Sequence, residues 1–222
     1  MSLCRHFVSL LKMVTVRPLS CFDLLKYGNI NLDLYTETYN ITFYLNYLSK
    51  WPELMRVLES PTLTAFTAPY SSAGDFSESA KGDIAPASDV RVPPTCGRLM
   101  GYMMGKAEGR GSDWHGHVTA LSVAPEYRRL GLATQLMLEL EETSERKNCY
   151  YVDLFVRASN KLGLEIYTKL GYIVYRRVLS YYWGLLEDED AFDMRKALSA
   201  DVEKKSMIPM TRPVKPHELE HP

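Results

Sequence analysis

The six residues RRLGLA at positions 128–133 constrain this chain more than any others, because of what stands on either side of them. The alternating apolar stretch VTALSV precedes them at 118–123, and the amphipathic run TQLMLELEETSERK follows. Period-two alternation predicts a strand and apolar residues four apart predict a helix, so a short turn with two arginines and a glycine must join them. A helix starting there leaves its first amides without intrahelical partners and carries partial positive charge at that end. Gly131 lets a bulky ligand approach the backbone, and Arg128 and Arg129 add charge, which suits the turn to a phosphate-bearing ligand. The plainer alternative is a turn whose arginines are merely solvated.

The rest of the composition sets bounds. A chain of 222 residues suffices for one well-buried domain with attachments. With 46% hydrophobic and 24% charged residues and a formal charge of −1, it is an ordinary globular protein. Neither membrane binding nor sequence-specific nucleic-acid binding is expected of it. Cys4, Cys21, Cys96 and Cys149 lie far apart with no C-x-x-C pair, which predicts reduced thiols. No apolar run approaches the roughly 18 residues of a membrane span. Residues 1–12 read as an extension outside the domain. A mitochondrial leader is the alternative to a cytoplasmic chain, since no acidic residue occurs before Asp23.

Order begins at Met13. VTVRPL predicts a short strand, Ser20 and Asp23 a helix N-terminus leading through Leu24 and Leu25 to Gly28, and TFYLNYLSKW a second helix stopped at Pro52. Residues 60–97, rich in Pro, Ser, Gly and Ala, predict a disordered loop inserted between two strands. RLMGYMMGKAEG and WHGHVTALSV predict strands, followed by the turn and its helix, the strand YYVDLFVR, the helix NKLGLEIYTKL ending at Gly171, and the strand YIVYRRVLSYYW. The helix after Gly131 should bury Leu132, Leu136 and Leu140 and turn Glu141, Glu142 and Arg146 to water. The acidic EDEDAFDMRKAL closes a domain at 13–200, and 201–222 read as a polar tail. The element order implies an α/β fold, a mixed sheet with helices packed on it.

The turn together with VRASN at 156–160 and EIYTKLGY at 165–172 resembles the GCN5-related N-acetyltransferase family, whose pyrophosphate loop is R/Q-x-x-G-x-G/A. That resemblance implies a mostly antiparallel central sheet flanked by helices, acetyl-CoA as donor and no metal. The backbone of Arg128, Arg129, Leu130, Gly131, Leu132 and Ala133 would hold the pyrophosphate, and that of Leu121 and Val123 the pantetheine and thioester. Asn160 would contact the cofactor, although it also fits a plain helix N-cap. Tyr167 would protonate the leaving thiolate, although beside Leu162, Ile166 and Leu170 it also fits a core aromatic.

Within the family, NINLDLYTETYN, WHGHVTALSVAPEYRRLGLA and DMRKALSADVEKKSMIP resemble the catalytic subunits of NatB-type N-terminal acetyltransferases. This implies acetylation of nascent chains beginning Met-Asp, Met-Glu, Met-Asn or Met-Gln, at the ribosome, with a large helical auxiliary subunit. Glu37 and Tyr39 would border the entering peptide, and Tyr181 and Tyr182 would close over it. Alternation lets only one of that pair face the groove, and Tyr182 is preferred. His117, with Thr119 two residues on, would read the polar side chain at peptide position two. His115 and His117 could form a metal pair, but no third ligand accompanies them. A family member with another acceptor, or a non-catalytic interaction module on the same fold, are the competing readings.

Overall fold

Two breaks in hydrophobic periodicity, at Pro52 and at the RRLGLA turn, divide the chain into the pieces that its sheet assembles. The computed structural model describes residues 14–32, 35–60, 97–183 and 187–219, so the extension at 1–12 and nearly all of the 60–97 insertion lie outside the described residues. Seven strands form one sheet: β1 (Thr15–Pro18), β2 (Met55–Glu59), β3 (Leu99–Glu108), β4 (His115–Val123), β5 (Tyr151–Arg157), β6 (Ile173–Tyr182) and β7 (Glu189–Ala197). Their order is β1-β2-β3-β4-β5-β7-β6, and only β4 and β5 pair in parallel. The sheet is therefore mixed and mostly antiparallel, as expected.

The helices follow their sequence signals. Cys21–Asn29 is a 3-10 helix whose entry is fixed by Ser20 N–H donating to Asp23 at 2.8 Å. Asn40 caps α1 (Ile41–Lys50), accepting from Phe43 N–H at 2.9 Å. Helix α2 (Leu132–Arg146) and α3 (Lys161–Lys169) complete the set. Leu132, Leu136, Met137 and Leu140 of α2 pack against Met103, Val152 and Leu154 on one face of the sheet. Tyr27, Tyr44, Tyr102 and Met104 fill the other face beneath the first two helices.

Two expectations change. Glu141 does not face water: it is buried, accepts from the Tyr172 hydroxyl at 3.0 Å and pairs with Lys196 at 2.6 Å. Its column on α2, four residues after Met137, still faces the sheet, where strand and loop residues supply the partners a buried carboxylate needs. Glu142 and Arg146 are exposed and pair with each other at 2.8 Å. The acidic closing stretch, for its part, is strand β7, inserted between β5 and β6. Neighbours on both edges bury Asp193 completely, and Arg176 at 2.8 Å compensates it. Charge in that stretch marks internal ion pairs rather than a solvated surface.

The polar segment after residue 200 lies along β6. Val214 N–H donates to Arg177 O at 3.0 Å, Leu179 N–H to Val214 O at 2.8 Å, and Met210 N–H to Tyr175 O at 2.7 Å. Val214 and Leu219 are buried against Val178 and Ala191.

Glu141→Ala strands the Tyr172 hydroxyl and the Lys196 ammonium, which should cost about 1–3 kcal/mol in urea denaturation, whereas Glu142→Ala should stay within about 0.5 kcal/mol. Equal, small effects would return Glu141 to the surface.

Candidate active site

Strands β4 and β5 pair from His115↔Tyr151 to Val118↔Leu154 and then separate, although β4 runs on to Val123 and β5 to Arg157. Beyond that point the backbone groups of β4 that face β5 have no ladder partner on that side. A cavity of about 90 Å³ occupies the gap, walled by Thr119, Leu121, Phe155, Arg157, Asn160, Tyr167 and Tyr182 and roofed by Thr36 and Glu37.

The RRLGLA turn follows β4. Gly131 has φ of +78°, a left-handed conformation open to glycine, and as the residue before α2 it offers no capping side chain. The first amides of α2 are thus uncapped, and a Cβ on Gly131 would meet nothing within 4 Å. Leu132 is buried and Leu130 packs against the same core, which anchors the turn from below. Arg128 Nε donates to Val123 O at 3.2 Å, tying the turn to the end of β4, and Arg129 adopts φ of +61°. An uncapped helix end, cationic and sterically open, fits an anionic diphosphate.

Helix α3 forms the opposite wall. Asn160 is its N-cap, accepting from Gly163 N–H at 2.9 Å, and it also lines the cavity. Both readings of this residue therefore remain compatible with its position. Tyr167 lines the cavity two turns later, with its ring edge-on to Tyr172 at 6.0 Å. Burial pushes its phenol up to about 12, so it is a proton-bearing group at neutral pH. The core stripe of α3 is Leu164, Tyr167 and Leu170, not the expected Leu162, which is 63% exposed.

On the acceptor side, the Tyr182 hydroxyl donates to Phe155 O at 2.9 Å and its ring lies 4.2 Å beneath the Arg157 guanidinium. Arg157 also donates to Glu37 at 2.5 Å and to Glu189 at 3.2 Å. One cation thus joins both lips of the cavity. Tyr181 stacks on Phe155 at 4.7 Å and does not line this cavity. Strict alternation fails here because Ser180 has φ of +50° and the β6–β7 register shifts between Val178 and Tyr182, which leaves the two tyrosine rings 5.0 Å apart. Tyr39 stacks on Phe43 at 4.4 Å, just behind the cavity wall.

Thr119 faces the cavity and donates to the Tyr47 hydroxyl at 3.2 Å. His117 is not brought beside it. Its Nδ1 stands 2.8 Å from Asp153 Oδ1 in a second cavity, with the Phe155 ring, 5.6 Å from its own, lining both. Burial opposes ionisation of Asp153, but the charge and hydrogen bond of His117, with His115 and Arg195 nearby, hold its carboxyl down at about 2. His115 Nδ1 contacts Asp113 O at 2.6 Å, and no group of three metal-ligating side chains occurs among the described residues.

Phe155 and Arg157 are the site residues that the sequence reading omits. They alternate with Asp153 on β5, which is a usable signal, but Arg157 acquires its meaning from Glu37, 120 residues away.

A sheet parted beside an uncapped, cationic helix end is the architecture of an acetyl-CoA-dependent acyltransferase. The Acetyltransferase (GNAT) family matches residues 51–172, and the chain belongs to that family. Within it, the N-terminal acetyltransferase B complex catalytic subunit NAA20 of Arabidopsis thaliana is 48% identical over 210 residues, covering 94% of this chain and 99% of the relative. Naa20 of Chaetomium thermophilum in complex with a bisubstrate analogue aligns at a TM-score of 0.71 with 33% identity, over 93% of this chain and 100% of that one. The NatB acetyltransferase complex bound to CoA and MES contains a chain that aligns at 0.59 with 37% identity, over 83% and 99%.

Arg157→Met should raise the KM for the acceptor several-fold, corresponding to about 1 kcal/mol for a partly exposed charge-assisted contact, with the KM for acetyl-CoA unchanged. Glu37→Gln should add little on top of it in a double-mutant cycle. Additive effects would show that the two lips are not coupled through this pair.

Proposed function

We propose that this chain is the catalytic subunit of a NatB-type enzyme. It transfers acetyl from acetyl-CoA to the α-amine of nascent chains beginning Met-Asp, Met-Glu, Met-Asn or Met-Gln, at the cytoplasmic ribosome. The observation that carries the reading is the cavity between the parted strands, lined by Asn160, Tyr167 and Tyr182, together with the diphosphate-suited helix end that follows β4. Relatives that share this chain's length and bear the NatB name support the acceptor class. An auxiliary subunit is supported by apolar side chains turned outward on the first two helices, among them Leu25 at 78% and Phe22 at 72% exposed.

Acetyl-CoA supplies the activated acetyl group; the chain's own residues orient and deprotonate. A peptide amine has a reference pKa near 7.7–8.0, so a sizeable minority is neutral at pH 7 and a mild base suffices. Backbone groups of β4 around Leu121, left without partners by the parting, are placed to hold the thioester oxygen. The amine gives up a proton as the carbon–nitrogen bond forms, and the departing sulfur takes one up. A phenol at about 12 is a weaker acid than a thiol near 8.5, so Tyr167 acts first by donating a hydrogen bond to the sulfur. Net transfer of its proton must be coupled to replacement from the amine. At position two of the peptide, Thr119 offers a hydroxyl. Asp153 holds His117 through Nδ1; with the ring doubly protonated Nε2 donates to a carboxylate or amide oxygen, and with it neutral Nε2 accepts from an amide N–H.

Two outcomes check this mechanism. Tyr167→Phe should lower kcat by about 10²-fold or more. In the parent protein kcat/KM should climb as the amine loses its proton, reaching about half its maximum near pH 8, and hold level from about pH 9 to at least about pH 10. A descending limb near neutrality in the pH–rate profile would remove the phenol as donor.

Specificity is tested with a peptide panel and the auxiliary subunit present. Met-Asp should be strongly preferred over Met-Leu and Ser-Ala, and His117→Ala should cost about 1–3 kcal/mol in kcat/KM for Met-Asp while leaving acetyl-CoA binding intact. Gly131→Val should do the reverse, abolishing acetyl-CoA binding in calorimetry. If Ser-Ala or an internal lysine is the better acceptor, the NatB reading falls and the acetyltransferase remains.

A further inference from the structure

The polar segment docked along β6 builds a second cavity, of which the reading above uses only His117 and the Asp153 that holds it. Its volume is about 280 Å³, and its floor is the row of paired strand residues His117, Asp153 and Arg195 on β4, β5 and β7. Met210, Arg212, Val214 and Leu219 form the outer wall. The wall is held rather than draped, since three backbone hydrogen bonds fix it to β6 and Val214 is 2% exposed.

Two features distinguish this space from a packing fault. The first is Arg195, which is 91% buried by its 9% exposure, its guanidinium lying 3.7 Å from the Tyr175 ring and 4.5 Å from that of Tyr151. Its Nε has no hydrogen-bond partner, and its nearest carboxylate oxygen, on Asp193 at 3.5 Å, also has none. Both atoms are sealed from the cavity, and an occupant would meet the rest of the Arg195 guanidinium, which lines it. The second is adjacency. Phe155 lines both cavities, which therefore abut at one side chain. From Phe155 to Tyr151 the floor runs four strand residues, about 13 Å at roughly 3.3 Å each, the length of about four extended residues.

Resting on the acceptor reading above, we propose that this second cavity binds the acceptor polypeptide from its third residue onward, extended and held through polar contacts, with the segment Met210–Leu219 as its outer wall. The enzyme then reads more of the nascent chain than its two first residues. The floor mixes Arg195, Arg176 and two histidines with Asp153, Glu108 and Asp113, so the contacts it offers suit backbone amides and polar side chains rather than one sign of charge.

The test uses the full chain with its auxiliary subunit and C-terminally amidated Met-Asp peptides of two, three, five and seven residues. In the parent protein kcat/KM should rise at least tenfold from two residues to seven, mainly through KM, and flatten at six or seven. Truncation after Pro209 removes the wall, and Met210→Trp narrows the cavity from a position already 40% exposed. In each, the ratio of seven-residue to two-residue kcat/KM should fall at least fivefold, with the KM for acetyl-CoA unmoved. A parent enzyme indifferent to length, or a length gain that survives in Met210→Trp, overturns the proposal. Should another N-terminal sequence prove the preferred acceptor, the NatB reading fails, and the same length series on that sequence still decides this one.

Discussion

Everything functional in this molecule depends on the separation of two parallel strands. Parallel neighbours cannot be joined by a tight turn, so β4 must reach β5 through a crossover, and α2 is that crossover. Its N-terminus consequently sits at the end of β4, on the side where the pairing with β5 has just stopped. Had the ladder continued past Val118↔Leu154, the cavity would close and the backbone of β4 would be spent on its neighbour. The parting and the helix end together turn unsatisfied backbone groups, a liability elsewhere, into binding capacity.

Keeping those strands apart requires wedges, and the structure supplies large ones. Tyr167 enters from α3 and Tyr182 from β6, the latter fixed by its hydroxyl on Phe155 O and by Arg157 above its ring. The second cavity is a continuation of the same device, because β7 displaces β6 outward and the chain beyond residue 200 then covers the face that β6 leaves open. Insertion of β7 also explains the density of charge inside. Asp153 and Asp193 repel each other, and both are tolerable because Arg195, with Arg176 beside Asp193 and His117 beside Asp153, offsets them.

What could be read from the sequence follows the range of the interactions. The turn at 128–133, the Asn160 cap and the position of Tyr167 on its helix are local, so spacing and resemblance sufficed to put the turn between β4 and α2 and the other two on one helix, where both line the cavity. The helix start at Ser20 was legible for the same reason. Strand β7 was not, because EDEDAFDMRKAL shows its strand character only when Arg176 and the neighbouring strands are present to neutralise it. Glu141 failed similarly: a helical wheel assigns a carboxylate to water unless Tyr172 and Lys196 are known to stand opposite. His117 was placed correctly on its strand, yet it lines a different cavity from Thr119, and only Phe155, contributed by the neighbouring strand, borders both.

This division between local and distant parts has a chemical counterpart. The donor side is made from one continuous strand–turn–helix and the N-terminal half of α3, so its geometry is set by backbone and survives most side-chain changes. The acceptor side is made from side chains of the 35–40 segment, β4, β5 and β6, joined through Arg157 and Phe155. A substitution there alters which peptide fits without disturbing where the thioester lies, because no acceptor residue contributes to the helix end. Selectivity for the N-terminus and the capacity to transfer acetyl are thus held by physically separate sets of interactions that meet only at Tyr167 and the parted edge of β4.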